Sequence, residues 1–123
     1  MSEINILLVE DNEGDILLTL EAFSELNAGT RIEVVRDGAE ALAFLRKEGK
    51  FSHYPSPQLI LLDINMPGMN GIELLGHIKA DEQLKIIPVL MLTTSSSSAD
   101  INACYDRSVN GFITKPIDFG KFL

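Results

Sequence analysis

The most constraining feature of this chain is a short apolar run, residues 59–62, which ends in the acidic residue Asp63. A run of this length without polar alternation is typical of a β-strand that is buried on both faces of a sheet. The same pattern occurs near the N-terminus, where the largely apolar residues 4–9 lead directly into Glu10 and Asp11. Because neighbouring strands of a parallel sheet end at the same edge, we expect the three carboxylates to meet there.

Strands and helices alternate along the chain, which predicts an α/β fold with a parallel sheet and right-handed crossovers. We expect a doubly wound, flavodoxin-like sheet of five strands in the order 2-1-3-4-5, with helices on both faces. The predicted strands are residues 4–9, 30–35, 58–62, 88–92 and 111–114.

Capping residues mark the starts of the predicted helices. Asp37 and Asn70 each precede a glutamate by three residues, which is the pattern of a capping box. The predicted helices are residues 15–26, 37 to about 47, 70 to about 81 and 99–107. A last helix begins near Asp118, but the chain stops at Leu123, so we expect this helix to be truncated.

Length and composition narrow the class of protein. A chain of 123 residues suits one domain, so residues 1–123 are expected to form a single domain without an output domain. The net charge of -8 argues against a nucleic-acid partner. No apolar stretch approaches the ~18–20 residues of a membrane span, and no signal peptide is evident, which favours the cytoplasm and no membrane partner. The single cysteine, Cys104, excludes an internal disulfide and a thiolate zinc cluster.

The predicted edge of the sheet gathers acidic residues that need a counter-charge. Two like unit charges ~4 Å apart repel by about 4 kcal/mol at an effective dielectric near 20. A divalent cation with oxygen ligands meets that need, and Mg²⁺ suits carboxylates with a backbone carbonyl and retained waters. No histidine or cysteine falls near the predicted strand ends, which disfavours zinc and copper.

Two more side chains are expected at this edge, Thr93 after the fourth strand and Lys115 after the fifth. Lysine supplies a compact positive charge for a carboxylate or a phosphoryl group, and threonine supplies a hydroxyl donor. Together with a cation site, they indicate that Asp63 accepts a phosphoryl group. Such a transfer depends on positioning and charge neutralisation more than on acid–base chemistry.

Several segments in order resemble the receiver domain of bacterial two-component response regulators, over essentially the whole chain. The segments are Glu10-Asp11, Asp63 with residues 66–71, residues 87–93 and residues 112–116. The resemblance implies that a histidine kinase phosphorylates Asp63. It also implies that Mg²⁺, or else Mn²⁺, is ligated by Asp11, Asp63 and the backbone carbonyl of Asn65, with Glu10 acting mainly through water.

The resemblance also implies a switch that a downstream protein target reads at the fifth strand and the neighbouring helix. Thr93 would move toward the phosphoryl group, Phe112 would swing inward behind it, and the Lys115–Pro116 peptide bond would be cis. The protein would assist its own phosphorylation and dephosphorylation without being an enzyme for other substrates.

Three further residues, Asn65, Thr94 and Ser95, are expected to modulate access to the phosphoryl group and its lifetime. Residues 10–12 with Asp15 behind them, the loop at 49–57 and residues 93–95 are similar to those of small single-domain receivers that serve phytochrome-like histidine kinases. The stop at Leu123 is expected to leave an apolar patch that favours a homodimer or a swapped dimer.

Other functions can be weighed on the same residues. A flavin-binding module would need a phosphate-binding loop after the first strand, but residues 10–15 are acidic and would repel phosphate. An aspartate-based phosphatase would have a second aspartate two residues after the nucleophile, where this chain has Asn65. A degenerate receiver would act as a protein-interaction module without phosphorylation. This chain, however, has all five key residues, Glu10, Asp11, Asp63, Thr93 and Lys115.

Overall fold

A computed structural model of the protein describes residues 4–26, 29–66, 68–93 and 109–115. Its strands are β1 (Ile4–Val9), β2 (Thr30–Val35), β3 (Leu59–Asp63), β4 (Val89–Thr93) and β5 (Gly111–Thr114). All neighbouring pairs are parallel, and the sheet has the order β2-β1-β3-β4-β5. The predicted fold class and strand order are therefore confirmed.

The register of the sheet brings the ends of four strands level with one another. Val9 of β1 pairs with Leu62 of β3, so the following residues of these strands, Glu10 and Asp63, lie side by side. Thr93, the last residue of β4, pairs with Thr114 of β5. We call this end of the sheet, formed by the carboxyl ends of β1, β3, β4 and β5, the carboxyl edge.

The described helices are α1 (Glu13–Leu26), α2 (Gly38–Leu45) and α3 (Gly71–Ala80). Both predicted caps are present: the side chain of Asp37 accepts from the backbone N–H of Glu40, and that of Asn70 accepts from Glu73. Helix α1 begins two residues earlier than predicted. Asn12 is the reason, since its side-chain oxygen accepts from the Asp15 N–H and so satisfies a free donor of the first turn.

Two apolar clusters pack on opposite faces of the sheet. The cluster that includes α2 and α3 is the larger one, and the other includes Ile16 and Phe23 of α1. Leu61 and Leu62 of β3 are fully buried, one in each cluster, which confirms that this strand is covered on both faces. Each fully buried leucine contributes about 1.5–3 kcal/mol to folding, so the end of β3 is held firmly.

Two local predictions differ from the structure. The apolar residues of the α3 segment predict that Ile72, Leu75 and Ile78 are buried, but helix α3 buries Leu74, Leu75 and Ile78 and leaves Ile72 half-buried. Position 72 lies in the first turn, where the helix emerges from the carboxyl edge. The loop at 49–57 also has structure of its own, because it starts with a short 3₁₀ helix, Gly49–Phe51.

Several predictions fall outside the described residues and stay predictions. They concern Thr94 and Ser95, the helix at 99–107 with Cys104, the peptide bond to Pro116, and the truncated helix from Asp118 with its proposed dimer. Among the residues that are described, no helix has the length and apolar character needed to cross a membrane.

Candidate functional site

Three carboxylates converge at the carboxyl edge, as the sequence predicts. Glu10 and Asp11 follow β1, and Asp63 ends β3, so adjacent strands deliver them to one place. One carboxylate oxygen from each lies within 4.8 Å of the other two. Glu10 is fully buried and Asp63 is 3% exposed, while Asp11 faces solvent. The cluster therefore has a buried floor and an open side.

Lys115 follows β5 and reaches across this cluster. Its Nζ lies 2.5 Å from Glu10 Oε1, 3.0 Å from Asp15 Oδ2 and 3.2 Å from Asp63 Oδ1. Its backbone N–H donates to the carbonyl of Thr93 at 2.8 Å, which fixes the start of the side chain at the end of β4. Burial lowers the pKa of Lys115, but the hydrogen bonds to Glu10 and Asp15 and the nearby carboxylates outweigh it and raise that pKa above its ordinary value.

Glu10 is the most electrostatically stressed group at the edge. Its burial raises its pKa to about 8, with a further contribution from the neighbouring Asp63 carboxylate, while Lys115 acts in the opposite direction. One carboxylate oxygen, Oε2, is buried without a hydrogen-bond partner in the part of the chain that the structure describes. An unsatisfied buried oxygen within a group of three carboxylates fits a divalent cation with hard oxygen ligands.

The turn after β3 holds the Asp63 carboxylate in place. The backbone N–H of Asn65 donates to Asp63 Oδ1 at 3.2 Å. The N–H of Gly71 donates to the carbonyl of Ile64 at 2.9 Å, which brings the start of α3 against the end of β3. A Cβ at position 71 would lie only 2.2 Å from the Asp63 carbonyl oxygen, so this close approach requires glycine.

A pocket of about 260 Å³ opens above these groups. We call it the acidic pocket; it is lined by Asp11, Asn12, Asp15, Asp63, Asn65 and Lys115. Thr93 is buried at the end of β4, and Phe112 is half-buried beside the core cluster of α2 and α3. The structure thus brings together Glu10, Asp11, Asp63, Asn65 and Lys115, and it places Thr93 at the same edge.

Sequence reasoning missed two residues of the acidic pocket, Asn12 and Asp15. Asp15 had been noted only as part of a resemblance, without a role at the site. A local signal was available, because an asparagine followed three residues later by an acid is a helix-start pattern, and a helix starting there follows β1 at the carboxyl edge. The pairing of Asp15 with Lys115, exactly a hundred positions apart, has no such local signal.

Comparison with known protein families settles the class. The model of the response regulator receiver domain matches residues 6–123. The chain belongs to this family. Receivers are signalling proteins of two-component systems and bind a divalent metal, which agrees with the acidic cluster at the carboxyl edge.

Several similar proteins are response regulators, and one of them is a cyanobacterial phytochrome response regulator. Response regulator Rcp1 of Synechocystis sp. is 43% identical over 110 residues, which cover 89% of this chain and 75% of Rcp1. The crystal structure of the phosphorylated cyanobacterial phytochrome response regulator RcpA is 44% identical, with a TM-score of 0.88 over 98% of this chain and 86% of RcpA. The Mn²⁺-bound form of Rcp1 is 40% identical, with a TM-score of 0.86 over 96% of this chain and 85% of that structure.

Proposed function

We propose that this receiver is a phosphorylation-dependent switch in which Asp63 accepts a phosphoryl group from a histidine kinase. The observation that carries the proposal is the setting of the Asp63 carboxylate. It lies at the floor of the acidic pocket, on the firmly held end of β3, with the ammonium group of Lys115 at 3.2 Å. A fixed nucleophile beside a fixed positive charge is what phosphoryl transfer needs.

The phosphoryl transfer exchanges one bond to phosphorus for another. A carboxylate oxygen of Asp63 attacks the phosphorus of a phosphohistidine, and an O–P bond forms as the P–N bond breaks. The histidine nitrogen leaves with the electron pair of that bond and takes up a proton from solvent. Lys115 pairs with the negative charge on the phosphoryl oxygens, and the aspartyl phosphate is later hydrolysed by water at the same site.

The metal of this site is proposed to be Mg²⁺, with Mn²⁺ as a substitute. Asp11, Asp63 and the backbone carbonyl of Asn65 would hold it, and Glu10 would act mainly through water. The bound ion supplies charge neutralisation for the phosphoryl oxygens. In support, the candidate metal ligands of the three clustered acids are all carboxylate oxygens, and the buried Oε2 of Glu10 lacks a hydrogen-bond partner among the described residues.

The response to phosphorylation is proposed to run through Thr93 and Phe112. Thr93 ends β4 and its carbonyl accepts from the Lys115 N–H, so it lies next to the group that would sense a new phosphate. Phe112 is on β5, paired in register with Met91 of β4. A change at Thr93 would thus reach the face of β5, where a downstream protein target would bind. Asn65, Thr94 and Ser95 would modulate the phosphate lifetime.

The kinase partner is proposed to be phytochrome-like. The support is that RcpA, a cyanobacterial phytochrome response regulator, is similar to nearly all of this chain. Binding of this receiver to a phytochrome-like histidine kinase, and transfer of phosphate from it, would test this part of the proposal.

The central experiment is intact mass measurement after incubation with Mg²⁺ and acetyl phosphate. We expect the wild-type protein to gain the mass of one phosphoryl group and Asp63→Asn to gain nothing. Glu21→Gln is the matched control, because it removes one negative charge from an exposed position on α1 and should be phosphorylated normally. An unmodified wild-type protein, or an adduct that persists in Asp63→Asn, would contradict the proposal and favour a phosphorylation-independent interaction module.

A further inference from the structure

Lys115 is shared among three carboxylates, and one of them, Asp15, has no place in the chemistry described above. Asp15 Oδ2 lies 3.0 Å from Lys115 Nζ, closer than the 3.2 Å to Asp63 Oδ1. Asp15 also lines the acidic pocket, although it is not one of the three clustered acids that could hold a metal ion. Its contact at this site is with the lysine.

The first turn of α1 fixes the backbone of Asp15 on both sides. Its N–H donates to Asn12 Oδ1 at 2.9 Å, and its carbonyl accepts from the Thr19 hydroxyl at 2.8 Å. A carboxylate at this position would ordinarily stay near the free N–H groups of the helix start. Here it instead forms an ion pair with Lys115, which directly follows β5, and accepts a hydrogen bond from its ammonium group.

We infer that Asp15 is a positioning residue that competes with the phosphoryl group for Lys115, and so weakens the phosphorylated state. This inference rests on the proposed function of Asp63 as the phosphate acceptor. In the unmodified protein, Asp15 keeps the ammonium group of Lys115 over the pocket. On phosphorylation, Lys115 exchanges Asp15 for a phosphoryl oxygen.

The exchange follows from the number of donors on a lysine. An ammonium group has three N–H donors, and three carboxylates already surround that of Lys115. After phosphorylation, a phosphoryl oxygen, the remaining Asp63 oxygen, Glu10 and Asp15 make four acceptors for three donors, so one of them must give way. The side chain of Glu10 is fully buried and that of Asp63 is 5% exposed, whereas that of Asp15 is 30% exposed. Asp15 can therefore recover water most easily, and its release costs least.

The test is the affinity for beryllofluoride, a non-transferable phosphoryl mimic, measured by calorimetry at saturating Mg²⁺. Asp15→Asn keeps the shape of the side chain but removes its charge. We expect this variant to bind beryllofluoride about three- to tenfold more tightly than wild type, the range for one partly screened ion pair. Asp15→Glu restores a competing carboxylate and should bring the affinity back toward wild type, which a purely structural role of Asp15 would not explain.

Glu13→Gln is the matched control. It removes the same charge from the same helical turn, and Glu13 pairs with the exposed Arg36 instead of Lys115. Its affinity for beryllofluoride should equal that of wild type. Should Asp15→Asn fail to fold, Asp15→Ser removes the same charge and carries the same expectation.

Two results would overturn the inference: unchanged or weaker binding by the charge-removing Asp15 variant, or an equal gain in Glu13→Gln. Failure of the proposed function looks different. In that case wild type itself would neither bind beryllofluoride nor gain a phosphoryl group on Asp63.

Discussion

Replacing Gly71 by alanine should destabilise the fold and disturb the phosphate acceptor together. Gly71 is the first residue of α3, and its backbone packs against the end of β3. An added Cβ would lie 2.2 Å from the carbonyl oxygen of Asp63 and 2.8 Å from Ile64 Cα. Both atoms belong to the backbone of a buried segment, so no side-chain rotation can relieve the clash.

The size of the effect follows from this geometry. The Asp63 carbonyl and the α3 terminus would have to separate by roughly 1 Å to reach an ordinary contact distance. Overpacking of this kind costs about 2–3 kcal/mol of unfolding free energy. In a chain of this size that lowers the melting temperature by roughly 10 °C. Alanine in an uncrowded helix would instead stabilise by up to about 1 kcal/mol, so the sign of the change is diagnostic.

Gly38→Ala is the matched control. Gly38 and Gly71 each follow a capping residue and begin a helix, but a Cβ at position 38 would meet the Met69 side chain, at 2.8 Å from Sδ, 2.9 Å from Cβ and 3.0 Å from Cγ. Met69 is half-buried, and rotation of its side chain relieves the contacts of Sδ and Cγ but not that of Cβ, so we expect a cost of about 1–2 kcal/mol, smaller than at Gly71. Thermal unfolding followed by circular dichroism measures both variants. A Gly71→Ala melting temperature equal to or above that of Gly38→Ala would refute the close approach at Asp63.

Two further predictions concern the charges of the carboxyl edge. In metal-free protein, folding raises the pKa of Glu10 from 4.5 to about 8, so the folded state holds a proton that the unfolded state has lost between these values. The contribution of Glu10 to stability is therefore complete below about pH 4.5 and is lost toward pH 8. Stability should fall by about 1–3 kcal/mol from pH 5 to 8, as denaturant titrations would measure, while Glu10→Gln should flatten the decline. Millimolar Mg²⁺ at pH 8 should raise the melting temperature. A hundredfold excess of Mg²⁺ over its dissociation constant adds about 2.7 kcal/mol to the free energy of unfolding. Asp11→Asn should remove this gain, and an unshifted wild-type melting curve would argue against a metal at the edge.

The fold could be predicted because its main determinants are local. The apolar runs that became β3 and β4 are too short for helices and too continuous for half-exposed strands, so their burial on both faces follows from the sequence. Once both faces are covered, right-handed crossovers join parallel strands, and the carboxyl ends of these strands then lie at one edge of the sheet. Glu10, Asp63 and Lys115 could be assigned to that edge because each directly follows or ends a strand.

The missed features depend on distances between elements. In α3, Leu74 is buried and Ile72 is only half-buried, which depends on how the helix packs against the sheet and not on the apolar spacing alone. The role of Gly71 could not be predicted either, since a glycine after a cap is equally consistent with an open helix start. Only the contact with the Asp63 carbonyl distinguishes it from Gly38.

The span of Lys115 connects these observations. In the order β2-β1-β3-β4-β5, β5 lies three strands from β1, a separation of about 14 Å at the usual spacing of parallel strands. A lysine that starts at the end of β5 and pairs with Glu10 beyond the end of β1 must pass over β3, which is why its Nζ also lies beside Asp63. A phosphate on Asp63 would therefore meet a residue that is joined to α1 through Asp15 and to β4 through the Thr93 carbonyl. On the proposed function, one new charge at the centre of the edge would act at once on the ion pair with α1 and on the end of β4, without a long chain of intermediate contacts.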